Sequence, residues 1–194
     1  MRRFEKISVL KHDIPLPERK TAKSAGYDIS IIHPYVLNLM VEQGLNMDEA
    51  WNLVKEKNDT TFFLPHGQEN FLFPTGLKAS MEDGEVLMLF IRSSVGVKQH
   101  ITLSNQVAVI DADYYNNPDN EGHIFVPLDI PKRPIPGPNP YHPLFVDNEH
   151  DQDRYLEFDG PTLRICQGIF LDYKTTDDDT ASGKRQGGLG STGA

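Results

Sequence analysis

The string Ile110-Asp111-Ala112-Asp113-Tyr114 closes an apolar run that begins at Val107. Residues two apart on a strand share a face, so Asp111 and Asp113 are expected side by side at a strand end. Repulsion separates the pKa values of such a pair, leaving one carboxylate to act as a base and the other to accept structural bonds. The plainer reading is a solvated turn capped by an aspartate. Tyr114 either stacks on a planar ligand or packs against the fold. Arg92-Ser93-Ser94 follows a second apolar run; a guanidinium fork beside two hydroxyls suits phosphate oxygens, although ordinary strand ends look similar. The last residues, Arg185-Gln-Gly187-Gly188-Leu189-Gly190-Ser191-Thr192-Gly193, offer unhindered N–H groups, two hydroxyls and a cation. Those are the makings of a phosphate clamp, or of a plain glycine-rich tail. Ala22-Lys-Ser-Ala-Gly-Tyr-Asp28 and Leu163-Arg164-Ile-Cys-Gln167 add a carboxylate, a cation and an amide.

These groups need a scaffold. Short runs rich in Val, Ile, Phe and Thr predict strands at Phe4–Leu10, Tyr27–Ile32, Thr60–Leu64, Phe71–Phe73, Val86–Arg92 and Ile101–Ser104. Further strands are expected at Val107–Asp111, His123–Leu128, Tyr155–Phe158 and Leu163–Tyr173. With turn signals such as Asp83-Gly84 between them, they predict an all-β barrel or sandwich. Two segments break the pattern. Residues 34–57 read as a helical hairpin: Pro34 opens one helix, Gly44 ends it, and Asn46 with Glu49 forms a capping box for a second. Met47, Ala50, Trp51 and Val54 give that second helix one apolar stripe, expected to cover part of the barrel; a partner-docking surface is the other use for it. Residues 131–153 carry prolines at 131, 134, 136, 138, 140 and 143 and read as a stiff surface loop. The division expected is a β-domain over residues 1–174 and a polar C-terminal arm over 175–194.

Composition narrows the function. The 194 residues hold 19 basic and 28 acidic side chains, a formal charge of −9. This argues against general nucleic-acid binding, while a small anion needs only a local cluster of cations or a metal. The one cysteine, Cys166, excludes an internal disulfide. No apolar run approaches the ~20 residues that span a bilayer, and Arg2, Arg3, Glu5 and Lys6 stand where a leader would be apolar. A soluble, cytoplasmic chain without membrane contact is expected. The histidines show no spacing with cysteine or carboxylate suited to zinc.

In their order, the five strings resemble the signature motifs of the homotrimeric dUTPase family, the deoxyuridine triphosphate nucleotidohydrolases. Ile-Asp-x-Asp-Tyr and Gly-Gly-x-Gly-Ser-Thr-Gly are the specific ones, and the likeness runs from about Lys20 to the last residue. It implies a distorted jelly-roll barrel of the β-clip kind, here with the helical hairpin inserted and a C-terminal arm. It implies hydrolysis of dUTP to dUMP and pyrophosphate, with Mg²⁺ held by the triphosphate and water rather than by the protein. It assigns Asp111 as the base that activates the attacking water and Tyr114 as the ring under the deoxyribose that leaves no room for a 2′-hydroxyl. Uracil would be held by backbone groups around Asn105, Val107 and Ala108 and by the returning strand near Ile124. Arg92, Ser93, Ser94 and Gln167 would reach the phosphates, with Asp28, Arg164 and Asp113 behind them. Arg185, Leu189, Gly190, Ser191 and Thr192 would close over the substrate from a neighbouring subunit of the trimer.

Three departures from the family pattern stand out. Leu189 occupies the place of a phenylalanine that stacks on uracil. The hairpin after Tyr114 is lengthened by residues 116–122, and Phe125 sits where many members carry a small residue. Neither the hairpin at 34–57 nor the proline-rich loop belongs to the shared pattern; a protein partner on 34–57 is the role open to the former. Two rivals are weighed against the hydrolase. The related dCTP deaminases lack the Gly-Ser-Thr-Gly ending and would need a catalytic glutamate, for which Glu121 is the nearby candidate. A dUTPase-like binding protein would keep the nucleotide site only as a switch.

Overall fold

The computed structural model describes residues 1–10, 14–134, 152–183, 185 and 187. Every strand pairing in it is antiparallel. The largest sheet runs in the order β2 (Tyr27–Ile32), β13 (Thr162–Asp172), β6 (Glu85–Ile91), β8 (Ala108–Asp111). A three-stranded sheet follows the order β4 (Asn70–Pro74), β9 (Phe125–Asp129), β7 (Thr102–Leu103). Two-stranded pairs add β1 (Arg3–Lys6) with β5 (Leu77–Ser80) and β3 (Thr61–Phe63) with β12 (Tyr155–Glu157). The predicted all-β fold is the one observed. Between the sheets lies one apolar core, with Ile29, Ile31, Phe73, Leu87, Leu89, Val126, Leu128 and Ile165 sealed from solvent. Full burial of each such side chain contributes about 1.5–3 kcal/mol, which is what drives short strands of this length together.

The helical hairpin stands where it was expected, as α1 (Pro34–Gln43) and α2 (Met47–Glu56). Gly44 ends α1 at φ 68°, a left-handed value that its lack of a Cβ permits. The capping box of α2 is complete: Glu49 N–H donates to Asn46 Oδ1 and Asn46 N–H to Glu49 Oε2, each at 2.9 Å. Ala50, Trp51 and Val54 are buried in the core, together with Val36 and Met40 of α1. The apolar stripe thus covers the barrel. His33, at the mouth of α1, is sealed among aromatic rings, edge-on to Phe158 at 4.6 Å and about 6 Å from Trp51 and Phe62. Neither of its ring nitrogens has a hydrogen-bond partner among the described residues. Burial lowers its pKa to about 4, against a smaller opposing pull from the Asp59 backbone.

Four details differ from the strands read in the sequence. β5 is an addition to them, because buried Lys78 interrupts its apolar pattern. Residues after Arg92 form a short helix, α3 (Ser93–Gln99). Asp113 does not share a strand with Asp111: β8 ends at Asp111, and Ala112–Tyr114 make one 3₁₀ turn. The proline-rich loop lies mostly outside the described residues; its ends pair as β10 (Arg133–Pro134) and β11 (Gln152–Asp153).

Candidate functional site

Two groups of side chains form on the largest sheet. At the end of β8, Arg185 is ion-paired with both carboxylates: its Nε donates to Asp113 Oδ1 at 2.9 Å, and its Nη2 contacts Asp111 Oδ2. The same guanidinium lies over the Tyr114 ring, 5.6 Å from its centroid. The carboxylates meet on one cation although the strand period fails, because the 3₁₀ turn swings Asp113 back toward Asp111. Both aspartates remain about half exposed while the arginine is largely covered. A fork between two carboxylates is the geometry that arginine satisfies best.

The second group forms where β2, β13 and the end of β6 run together. Asp28 of β2 stands 3.4 Å from Arg92 Nε and 3.3 Å from Arg164 Nη1, so one carboxylate holds two guanidinium groups. Gln167 pairs across the sheet with Asp28 on one side and Phe90 on the other. Its amide lies over Gly26, where an added Cβ would meet Gln167 Oε1 at 2.6 Å. Ser93 and Ser94 are exposed in the first turn of α3. Behind them Cys166 is buried, and burial with the nearby Asp28 charge pushes its thiol up to about 12, so it stays an inert SH group.

The two groups do not meet within one chain. Asp111 pairs with Val86 at the start of β6, while Arg92 follows Ile91 at its far end. Six residues of strand separate them, about 20 Å.

The hairpin expected to hold uracil is a tight turn, with Gln106 at φ 62° and Val107 N–H bonded to Asn105 O at 2.6 Å. Asn105 is exposed and Ala108 buried. At Ile124, read as part of the strand returning beside uracil, the backbone is already paired within the chain. Its side chain is buried, its N–H donates to Leu77 O at 2.8 Å, and its C=O accepts from Thr75 N–H and Oγ. No backbone hydrogen bond is left over for a ligand there; Phe125, half-buried against the His123 ring, is what the strand presents next. Leu189, Gly190, Ser191 and Thr192 lie outside the described residues. Glu121, which a deaminase would need, faces elsewhere: it accepts from Ser8 N–H at 3.0 Å and pairs with Lys78 at 3.4 Å. Among the described residues no group of three His, Cys, Asp or Glu side chains is placed to hold a metal ion, and no helix is long and apolar enough to cross a membrane.

The whole chain aligns with the "Deoxyuridine 5'-triphosphate nucleotidohydrolase" of Lactococcus lactis at 36% identity, covering 100% of this chain and 99% of that protein. The chain belongs to the dUTPase family. A dUTPase crystal structure from Streptococcus mutans superposes with a TM-score of 0.55 at 33% identity, covering 90% of this chain and 98% of that one. The dUTPase from phage phi11 of S. aureus, 17% identical, covers 94% of this chain and 97% of that one at a TM-score of 0.54, a likeness of fold alone. No family model matches the sequence.

One structural feature of this dUTPase-family chain, beside the candidate site, escaped the sequence reading. The residues that lengthen the hairpin, 116–122, fold back on Tyr114 through Asn117 and Asn120. The run Asn116-Asn117-Pro118-Asp119-Asn120 advertises a turn, but nothing in it names the tyrosine as its target.

Proposed function

We propose that this chain hydrolyses dUTP to dUMP and pyrophosphate, and that the active unit is a homotrimer with sites shared between subunits. The observation that carries the proposal is the Asp111–Asp113–Tyr114–Arg185 cluster in a chain aligned over its full length with a dUTPase. The shared site is supported by the ~20 Å along β6 between Asp111 and Arg92. One triphosphate cannot touch a base and a phosphate clamp that far apart, so the clamp of one copy serves the base of another.

In this reading Asp111 accepts a proton from the water that attacks the α-phosphorus, the bond from that phosphorus to the bridging oxygen breaks, and pyrophosphate departs. Hydrolysis of this kind asks mainly for in-line placement and cations on developing charge. Arg92, Gln167, Ser93 and Ser94 supply contacts to the phosphates, with Asp28 fixing Arg92 and Arg164 behind. Tyr114 lies under the deoxyribose, and the turn at Asn105–Ala108 reads uracil. Arg185 leaves the two aspartates for the γ-phosphate as residues 175–194 close, with Leu189, Gly190, Ser191 and Thr192 over the nucleotide. Mg²⁺ would neutralise triphosphate charge; Asp111 and Asp113, with no third His, Cys, Asp or Glu grouped with them among the described residues, suit an ion that arrives with the nucleotide and its own waters. In the cytoplasm this reaction would limit uracil incorporation into DNA and supply dUMP for thymidylate synthesis.

The test is pyrophosphate release by purified protein with Mg²⁺, running dUTP, dTTP, UTP and dCTP in parallel. Release from dUTP alone supports the reading. Ammonia from dCTP would replace it with the deaminase, and binding without release would make the chain a nucleotide-binding protein.

A further inference from the structure

Residues 115–122 do more than lengthen a hairpin. Asn120 Nδ2 donates to the Tyr114 hydroxyl at 2.9 Å, and that hydroxyl donates onward to His123 O at 2.9 Å. Asn117, buried, donates from Nδ2 both to Tyr114 O at 3.0 Å and to Asn120 Oδ1 at 2.8 Å. Asn117 Oδ1 in turn accepts from the N–H groups of Asp119 and Asn120 at 3.1 and 3.2 Å. Gly122 sits at φ 79° against the tyrosine backbone; a Cβ there would meet Tyr114 O at 2.5 Å. The far side of the loop is anchored too, Lys78 Nζ bonding Asn116 Oδ1 at 2.6 Å and Tyr115 Oη bonding Glu5 at 2.8 Å. Both ends of the Tyr114 side chain are therefore held, the backbone by Asn117 and the hydroxyl by Asn120. A ring with two torsions, restrained at its root and its tip, has lost the freedom to tilt.

We propose that Asn120, supported by Asn117, is a positioning residue that fixes the Tyr114 ring and thereby sets discrimination between deoxyribo- and ribonucleotides. This rests on the reading of Tyr114 as the ring beneath the sugar. Exclusion of a 2′-hydroxyl is a steric demand of about one atom, so a ring free to tilt away admits what a fixed ring rejects. Asn120 need not touch the substrate; it acts through the phenol.

The experiment measures kcat and KM for dUTP and for UTP in the full-length protein carrying Asn120→Ala, Tyr114→Phe, both together, and Tyr114→Ala. Asn120→Ala is expected to lower the ratio of kcat/KM for dUTP over UTP about 5- to 10-fold, the worth of one hydrogen bond, mostly through KM. Tyr114→Phe, which removes that bond together with the one from the phenol to His123 O while leaving the loop's own bonds in place, should lower the ratio at least as much. In the Tyr114→Phe background Asn120→Ala should add less than about twofold: it still breaks the bonds that Asn120 Oδ1 accepts from Asn117 and Gly122, but its bond to the phenol, the one that holds the ring, is already gone. A ratio within about twofold of the parent in both single variants overturns the positioning role, provided Tyr114→Ala still collapses the ratio. If Tyr114→Ala also leaves the ratio unchanged, the reading of Tyr114 itself fails. Additive effects in the double variant would show that Asn120 acts on the loop and not on the phenol.

Discussion

Arg185 forms an ion pair with Asp111 of its own chain, and the same guanidinium holds Asp113 at 2.9 Å. Asp111, the base of the proposed reaction, is thus ion-paired with a cation from beyond the last strand while staying half exposed. The triphosphate, with more negative charge than two carboxylates, is the competitor that can draw that cation away.

Asp111→Asn keeps the shape of the side chain and removes its basicity. Turnover should fall about 10²- to 10⁴-fold, the usual worth of a positioned base, while dUTP binding stays within a few-fold. Steady-state pyrophosphate release and calorimetric titration check the two halves. Near-parental turnover would remove Asp111 from the role.

Ending the chain at residue 183 deletes Arg185 and everything after it. Thermal unfolding and oligomeric mass should be little changed, since the deletion begins well beyond the last strand, which ends at Asp172. Activity should fall more than about 100-fold, because closure is lost. A shortened protein that hydrolyses dUTP normally would show that the segment is dispensable.

If base and clamp come from different copies, Asp111→Asn and Arg92→Ala proteins should each be nearly inactive, yet regain activity when unfolded and refolded together. The mixture contains sites that pair an intact base with an intact clamp. Recovery absent at every mixing ratio would mean that each site is built within one chain.

Gly26→Ala should displace Gln167, whose Oε1 would lie 2.6 Å from the new methyl group. The expected signature is a raised KM that combines non-additively with Gln167→Ala, the two substitutions removing the same contact. Full additivity would mean that the methyl acts elsewhere.

His33 carries a pH prediction. Its pKa is held down to about 4 in the folded chain against about 6.5 unfolded. The unfolded state therefore binds the extra proton first, and stability falls as pH drops from about 6.5 toward 4, by up to about 3 kcal/mol from this site. His123, likewise held down to about 4 by burial, adds a second loss over the same range. Denaturant melts of His33→Leu between pH 4.5 and 7.5 should show a shallower acid slope than the parent. An unchanged slope would assign the loss to other groups.

How much of this was legible in the chain depends on the range of the signal. The hairpin 34–57 could be read because a capping box and an i, i+3, i+4, i+7 stripe are local, and β2 because Tyr27, Ile29 and Ile31 alternate with Asp28 and Ser30. β5 could not, since Lys78 is buried on account of Asn116 and Glu121, partners nearly forty residues or more away. α3 was hidden by Gly96 and two valines, poor helix formers, of which Val95 is buried against the fold. Asp111, Asp113, Tyr114 and Arg185 were named from type and order alone, and the structure brings those four together. The separation of Asp111 from Arg92 needed strand register, which no single segment contains. The grip of Asn120 on Tyr114 depended on a loop folding back, and composition there announced only a turn.

Between Asp172, the end of the last strand, and Arg185, residues 173–183 run exposed, joined to one another by bonds from Asp179 N–H to Thr176 O and from Ala181 N–H to Asp179. Fully extended, such a stretch reaches about 40 Å. On that leash Arg185 behaves as a ligand at millimolar effective concentration, whichever carboxylate pair it finds. Adding residues to the leash should then weaken closure only gradually, roughly as the −3/2 power of its length, whereas any contact that depended on strand register would be lost at the first insertion.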